Sequence, residues 1–249
     1  MTKDGRPSLL NDIRYFYGSS WLGNSYLKDR EDVVAFGRRI ALFLNGESVS
    51  LGAYSALYLQ FNPNLKLGEI KITEDGGDWW QRYTYVGVPS NFLEMANASE
   101  FAISATTKAL KAIRKDLSSK IERASRIVEE QGENLRFLIR SHQSKQFVVE
   151  VSCNIAEWKS PSYLCIGLTD RQNGEYLEAA PVPLKFYQDA FHLAGSIKID
   201  GLEVSVLPKT SFSAQFTANN YANWLSKPVS EFTQIEKRPV LSGLIKLRG

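Results

Sequence analysis

Hydrophobic and polar positions alternate along most of this chain, and in two long stretches the period lengthens from two residues to between three and four. Asp12–Tyr17 (DIRYFY) reads as a short strand. Over Asp29–Leu44 the period is helical, with Val33, Val34, Phe36, Ile40, Phe43 and Leu44 on one broad apolar face. Glu31 and Asp32 sit in its first turn and Gly46 lies just past its end, as the helix dipole and a left-handed C-cap favour. Strand-like runs follow at Ala56–Phe61, Gly68–Thr73 and Trp79–Val88, the last two joined as a hairpin by Glu74-Asp75-Gly76-Gly77-Asp78.

The second helical stretch is the longest element of the chain. Ala98–Gln131 holds 34 residues with no Gly and no Pro, and Leu110, Ile113, Leu117, Ile121, Ala124 and Val128 recur along it as a stripe. As one straight helix it would be about 50 Å long. A globule of this chain's length is about 45 Å across. The helix therefore crosses the molecule, projects from it, or breaks part-way.

Beyond it, Leu135–Arg140 and Phe147–Ile155 read as a hairpin, with Phe147, Val149, Val151, Cys153 and Ile155 on one face. Tyr163–Thr169 and Glu175–Ala179 flank a tight Asn173-Gly174 turn, and Ser196–Ile199 and Leu202–Leu207 flank Asp200-Gly201. Short helices are predicted over Pro183–Ala194 and Thr217–Leu225. The pattern implies an α+β fold of about ten strands: two mostly antiparallel β-rich halves joined or backed by one long helix. The expected division is an N-terminal region 1–97, a connecting helix 98–131 and a C-terminal β-rich region 132–249, which may form one continuous domain with the rest.

Composition adds little to this picture. Thirty Lys and Arg against 27 Asp and Glu leave a net charge of +3, too small by itself to imply nucleic acid or a membrane. The N-terminus is polar, and no apolar run reaches the ~18–20 residues that span a bilayer. Two cysteines do not make a disulfide framework. A cytoplasmic protein is expected.

Local charge is more informative. Lys108, Lys111, Arg114, Lys115, Lys120, Arg123 and Arg126 face only Asp116 and Glu122 over the middle of the long helix. Glu129, Glu130 and Glu133 gather at its C-terminal end, where the dipole disfavours them. The second dense feature is Asp78-Trp79-Trp80-Gln81-Arg82-Tyr83-Thr84-Tyr85. Alternation sets Trp79, Gln81, Tyr83 and Tyr85 on one face and Trp80, Arg82 and Thr84 on the other. Trp, Tyr and Arg are the residue types most enriched at interface hot spots.

No chemical constellation is visible. His142 lies in a polar turn and His192 on a predicted short helix, and neither histidine nor Cys153 or Cys165 has ligand or nucleophile spacing. The acidic turn at 74–78 lacks a calcium-loop pattern, and no phosphate loop or Gly-x-Ser-x-Gly elbow is present. No catalytic residue, metal or cofactor is expected. The leading expectation is a non-catalytic protein-binding module of inhibitor, immunity or adaptor type with an acidic protein partner. Its expected contacts are Lys108, Lys111, Arg114, Lys115, Arg123, Trp79, Trp80, Arg82 and Tyr83. The alternatives are an enzyme whose site assembles only in three dimensions and a weak nucleic-acid binder using the basic helix.

Overall fold

The computed structural model describes residues 7–19, 25–27, 29–73, 78–157, 159–221 and 225–246. They form an α+β fold divided into two compact units, the first ending at Gly132 and the second running Glu133–Lys246. The helical segment after residue 97 belongs to the first unit.

In that first unit, strands β1 (Asp12–Tyr17), β2 (Ser25–Tyr26), β3 (Ala56–Asn62), β4 (Ile70–Thr73) and β5 (Gln81–Gly87) form one sheet in the order β2-β1-β3-β5-β4. β1, β3 and β5 run parallel, and the two edge pairings are antiparallel. The β4–β5 pairing has the register of the expected hairpin, while Glu74–Gly77 of its turn lie outside the described residues. The parallel centre is the main departure from the antiparallel expectation for this half. β2 and helix α1 (Glu31–Gly46) carry the chain from β1 across to β3, making that pair parallel, and β4, running back antiparallel to β5, lets β5 lie parallel beside β3. Elsewhere in the chain the ladders are antiparallel.

β3 sits at the centre and is buried along its whole length. Ile13 and Tyr15 of β1, with Leu57, Leu59 and Phe61 beside them on β3, make the apolar face toward the helices. Tyr15 lies against Gly37 of α1, where an added Cβ would come within 2.5 Å of its ring, and its hydroxyl meets Thr106 at 3.0 Å. Rings continue the packing from Phe61 to Phe92 (4.9 Å between centroids) and on to Phe101 (5.8 Å).

The 98–131 segment begins and ends as a helix at the expected Ala98 and Gln131, but it is two helices and not the one long helix the pattern implied. Helix α2 (Ala98–Ile113) ends at Arg114, whose backbone (φ −126°, ψ 70°) leaves the helical region. A 3₁₀ turn at Lys115–Leu117 follows, then helix α3 (Ser118–Gln131). Thr107 and Ser125 meet hydroxyl to hydroxyl at 2.7 Å, and Lys111 pairs with Glu122, so α3 folds back antiparallel along α2. The cause is burial. A 50 Å rod would leave half its stripe in water, whereas the hairpin lays Ala102, Ala105, Ala109 and Leu110 of α2, and Ile121, Ala124 and Val128 of α3, inside the unit. Arg114 marks the break, donating to the Ser50 carbonyl and to both carboxylate oxygens of Asp116. Gly132, at φ 51°, ends α3.

The second unit carries a larger antiparallel sheet of β6 (Arg136–Gln143), β7 (Phe147–Asn154), β8 (Ser162–Asp170), β9 (Tyr176–Glu178), β10 (Val182–Leu184) and β14 (Thr233–Gln234). A smaller one holds β11 (Ser196–Asp200), β12 (Glu203–Leu207) and β13 (Ser226–Pro228). The hairpins read at Asn173-Gly174 and Asp200-Gly201 are present, with both glycines at positive φ. Phe147, Val149, Val151, Cys153 and Ile155 are all buried, as their alternation required. The two short helices are displaced from their expected places. β10 occupies 182–184 before α4 (Asp189–Leu193), and α5 (Phe212–Ala218) starts five residues upstream of Thr217. Ser211 caps α5 by accepting from the Ala214 N–H, a start signal that the apolar pattern did not weigh.

After β14 the chain passes from the β9 edge of the larger sheet to its β6 edge. Arg136 N–H donates to Val240 O (3.1 Å), Ser242 N–H to Arg136 O (2.8 Å) and Ile245 N–H to Leu138 O (2.8 Å). On the way, Arg238 pairs with Glu150 of β7 at 2.6 Å and lies 4.8 Å above the Tyr176 ring of β9.

Candidate partner-binding surface

β5 and the turn before it carry Trp79, Trp80, Tyr83 and Tyr85, and the two faces of the strand serve different ends. Its parallel register places Tyr83 beside Tyr58 of β3. Their rings meet edge-on at 5.3 Å, Trp80 adds an edge contact with Tyr58 at 6.2 Å, and Phe16 of β1 lies 5.5 Å from Tyr58 on its other side. Arg14 sits over the Tyr58 ring at 5.5 Å and pairs with Asp12. The cluster of Ala56, Tyr58, Tyr83, Phe16 and Trp80 is drawn from strands and the turn before β5, with no helical residue in it. The helices pack instead on the face bearing Tyr15 and Phe61.

Gln81 fixes the phenols of this cluster. Its amide nitrogen donates to the Tyr58 hydroxyl at 3.1 Å, while its oxygen accepts from the Tyr83 hydroxyl and from the Asp78 N–H. Burial raises the Tyr58 pKa above the usual phenol value even beside the Arg14 cation, and pushes Tyr83 up to about 12. Both rings are therefore neutral through the physiological range. Trp79, 65% exposed, stands free in the preceding turn, and Trp80 is half-buried. Alternation had placed Trp80 on the side of Arg82. The strand begins only at Gln81, so Trp80 is in a turn and swings onto the Tyr58 side.

Arg82 points to the opposite face, with its guanidinium 5.0 Å from the centre of the Tyr54 ring. Among the described residues its buried Nε has no acceptor, and two residues on, the buried Thr84 hydroxyl has no partner among them either. An unmet buried donor of this kind costs about 1–3 kcal/mol. At the carboxyl ends of the parallel strands, where open α/β sheets commonly hold ligands, Gln60 donates to Gly18 O and Asn62 to Ser19 O. Those amides are spent holding the chain.

No family model, curated protein or solved structure matches this chain. Its surface must be read from its own residues.

Most of the expected basic strip is turned to internal use. Lys111 pairs with Glu122, Arg114 with Asp116 and the Ser50 carbonyl, and Lys120 and Arg123 both reach Glu47 past the end of α1. Arg114 holds the Asp116 carboxyl below its ordinary range, and Asp116 in turn holds Arg114 above its own. Lys108 and Lys115 stay exposed. Between α2 and α3 the hairpin opens a groove of about 360 Å³ lined by Thr107, Glu122, Ser125, Arg126, Glu129 and Glu130, which is acidic rather than basic.

Of the expected contacts, Trp79, Trp80, Arg82 and Tyr83 lie close in sequence on β5 and its leading turn, with Arg82 facing away from Tyr83. The sequence reading missed Tyr58, Phe16, Arg14, Gln81 and Tyr54. A parallel register between distant strands leaves no local mark in the sequence. Cys153 and Cys165 are free thiols on adjacent strands, with Cys153 opposite Leu164 and Cys165 opposite Ser152, so their side chains point to opposite faces. Burial pushes both thiols up, Cys165 to about 11. The charged neighbours of Cys165 are Arg136 and Glu178 rather than His192. Among the described residues no three His, Cys, Asp or Glu side chains converge on a metal position, and no helix is long and apolar enough to cross a membrane.

Proposed function

We propose that this chain is a protein-binding module of the inhibitor, immunity or adaptor kind. The contact surface would be the β5 side of the first unit, with a protein carrying acidic groups as partner. One observation carries the reading: an aromatic cluster, tied by Gln81 and flanked by Arg14 and the exposed Trp79, occupies a sheet face to which no helical residue contributes. Rings held in one rotamer lose little freedom on association, which is how aromatic anchors hold a partner. Lys108 and Lys115 on the helical hairpin, and Arg14 and Lys71 on the sheet, offer positive charge for encounter. The internal pairing of Lys111, Arg114 and Arg123 weighs against a nucleic-acid role, since few free cations remain to meet phosphates. On this reading the protein works in the cytoplasm, where its two thiols stay reduced.

The test is capture of a stoichiometric partner by the tagged full-length chain, repeated with Trp79→Ala and Trp80→Ala together. Expected is a defined partner whose affinity falls at least ~10-fold in the double variant, with circular dichroism unchanged. Absence of any stoichiometric partner, or retention of full affinity by the variant, overturns the proposal.

A further inference from the structure

Helix α5 turns its two largest apolar side chains away from the fold. Phe212 is 88% exposed and Phe216 is 69% exposed. Four residues apart, they lie on one side of the helix. The other side carries buried Ala214 with half-buried Thr217 and Ala218, so the small residues face inward and the rings face out. The helix is fastened in that pose. Ser211 caps its start by accepting from the Ala214 N–H, and Gln215 donates to the Lys209 carbonyl at 2.8 Å. Beyond its end, the Tyr221 hydroxyl donates to Asp189 of α4 at 2.7 Å and accepts from the Lys185 N–H at 2.8 Å.

The chemistry around the rings narrows what can cover them. From Thr210 to Ser226 the chain carries no Asp, Glu, Lys or Arg. Acidic proteins and anionic lipid surfaces are drawn by clustered cations, which this run lacks. A two-fold interface has the opposite need. It sets each residue near its axis against its own kind, so a charge there would repel its copy, whereas a ring meets a ring. We propose that α5 is a self-association face, on which a second copy of this chain packs about a two-fold axis with Phe212 and Phe216 of both copies at the centre. This goes beyond the β5 reading and does not depend on it. Rings so exposed present roughly 300 Å² of apolar surface per copy, taking ~150–250 Å² for each whole side chain. Two copies thus cover about 600 Å² with rings alone, against ~1,200 Å² at the low end of specific interfaces. The exposed Ser213, Gln215 and Asn219 beside them supply a polar rim. The dimer is therefore weak and reversible, with Kd on the order of 10⁻⁵ M.

Sedimentation velocity on the full-length protein, from ~1 to ~200 μM, is the test. Expected is a monomer that passes reversibly into a dimer across that range. Raising NaCl from ~0.15 to ~0.5 M should leave the dimer intact, because an uncharged interface gives salt little to screen. Phe212→Ser combined with Phe216→Ser should weaken association at least ~10-fold. Its melting midpoint at about 1 μM, where the wild type is monomeric, should match the wild type's, since rings already in water add little to the fold. A wild type that stays monomeric throughout, a dimer dissolved by salt, or full association in the double variant would each overturn the proposal. A double variant that melts lower or fails to fold moves the decision to the wild type. Its Phe212 and Phe216 ring resonances must then shift with protein concentration along the sedimentation isotherm, and rings that stay still overturn the proposal. A monomer that instead co-sediments with phosphatidylcholine vesicles, and loses that binding in the double variant, would assign α5 to a lipid surface and overturn it likewise.

Discussion

At the scale of single residues, the aromatic cluster is held as much by what it excludes as by its rings. Tyr58 and Tyr83 give up solvent around their hydroxyls and receive the Gln81 amide in exchange. Burial, the largest influence on both, disfavours their ionised forms, and Tyr83 is displaced to about 12. A group whose folded pKa lies above its unfolded one stabilises the native state fully below the unfolded value, here the phenol's usual 10, and loses that contribution as pH climbs through the folded value. Native stability should therefore be insensitive to these rings up to pH ~10 and decline between about 10 and 12. Urea midpoints measured across that window, alongside tyrosinate absorbance, check it. Tyr221, also displaced to about 12 by burial, adds to the decline, and Tyr83→Phe should reduce its steepness.

At the scale of elements, the helical hairpin shows what a single sequence can and cannot disclose. Its outer limits, Ala98 and Gln131, were legible from apolar spacing and the glycine that follows. The break was not, because Ile113, Leu117 and Ile121 keep helical phase straight through it. What decides the break lies outside the segment: the surface of α1 that both halves cover, and the Ser50 carbonyl that takes the Arg114 guanidinium. The same holds for the sheet. β4 and β5 were legible as neighbours because a turn of five residues joins them, whereas β1, β3 and β5 are brought side by side by connections that carry no pairing signal. Trp79, Trp80, Arg82 and Tyr83 were legible by type, and their companions Tyr58, Arg14 and Tyr54 became visible only with that register. Arg114→Ala tests the break directly. Asp116 is 62% exposed and its pair is worth little, so most of an expected loss of about 1–2 kcal/mol comes from the Ser50 carbonyl left without its charged donor. Asp116→Asn should leave the midpoint of the same denaturation experiment almost unmoved, since its pair with Arg114 is screened by solvent.

At the scale of the whole molecule, the two units meet their packing needs differently. The described strands and helices of the first all lie before Gly132, its helices following closely on its strands. The second is finished by a segment far along the chain, for β6 receives its outer hydrogen bonds from Val240–Ile245. The path from β14 to Leu241 runs in seven residues from the edge strand at one side of the sheet to the outer side of β6, bending at Glu236 and Lys237. Arg238 fastens it midway through Glu150, a carboxylate only 14% exposed. Arg238→Ala should therefore raise amide exchange at Ser242 and Ile245 by at least ~10-fold while leaving exchange in β1 and β3 unchanged. That arrangement also fixes a timetable. As the chain leaves the ribosome, the described strands and helices of the first unit are made about a hundred residues before the segment that covers β6, and throughout that interval β6 presents an open edge able to pair with a neighbouring nascent chain. The segment that protects it is made about a hundred residues after β6 itself, so this edge is most open to wrong pairing during synthesis and not in the folded molecule.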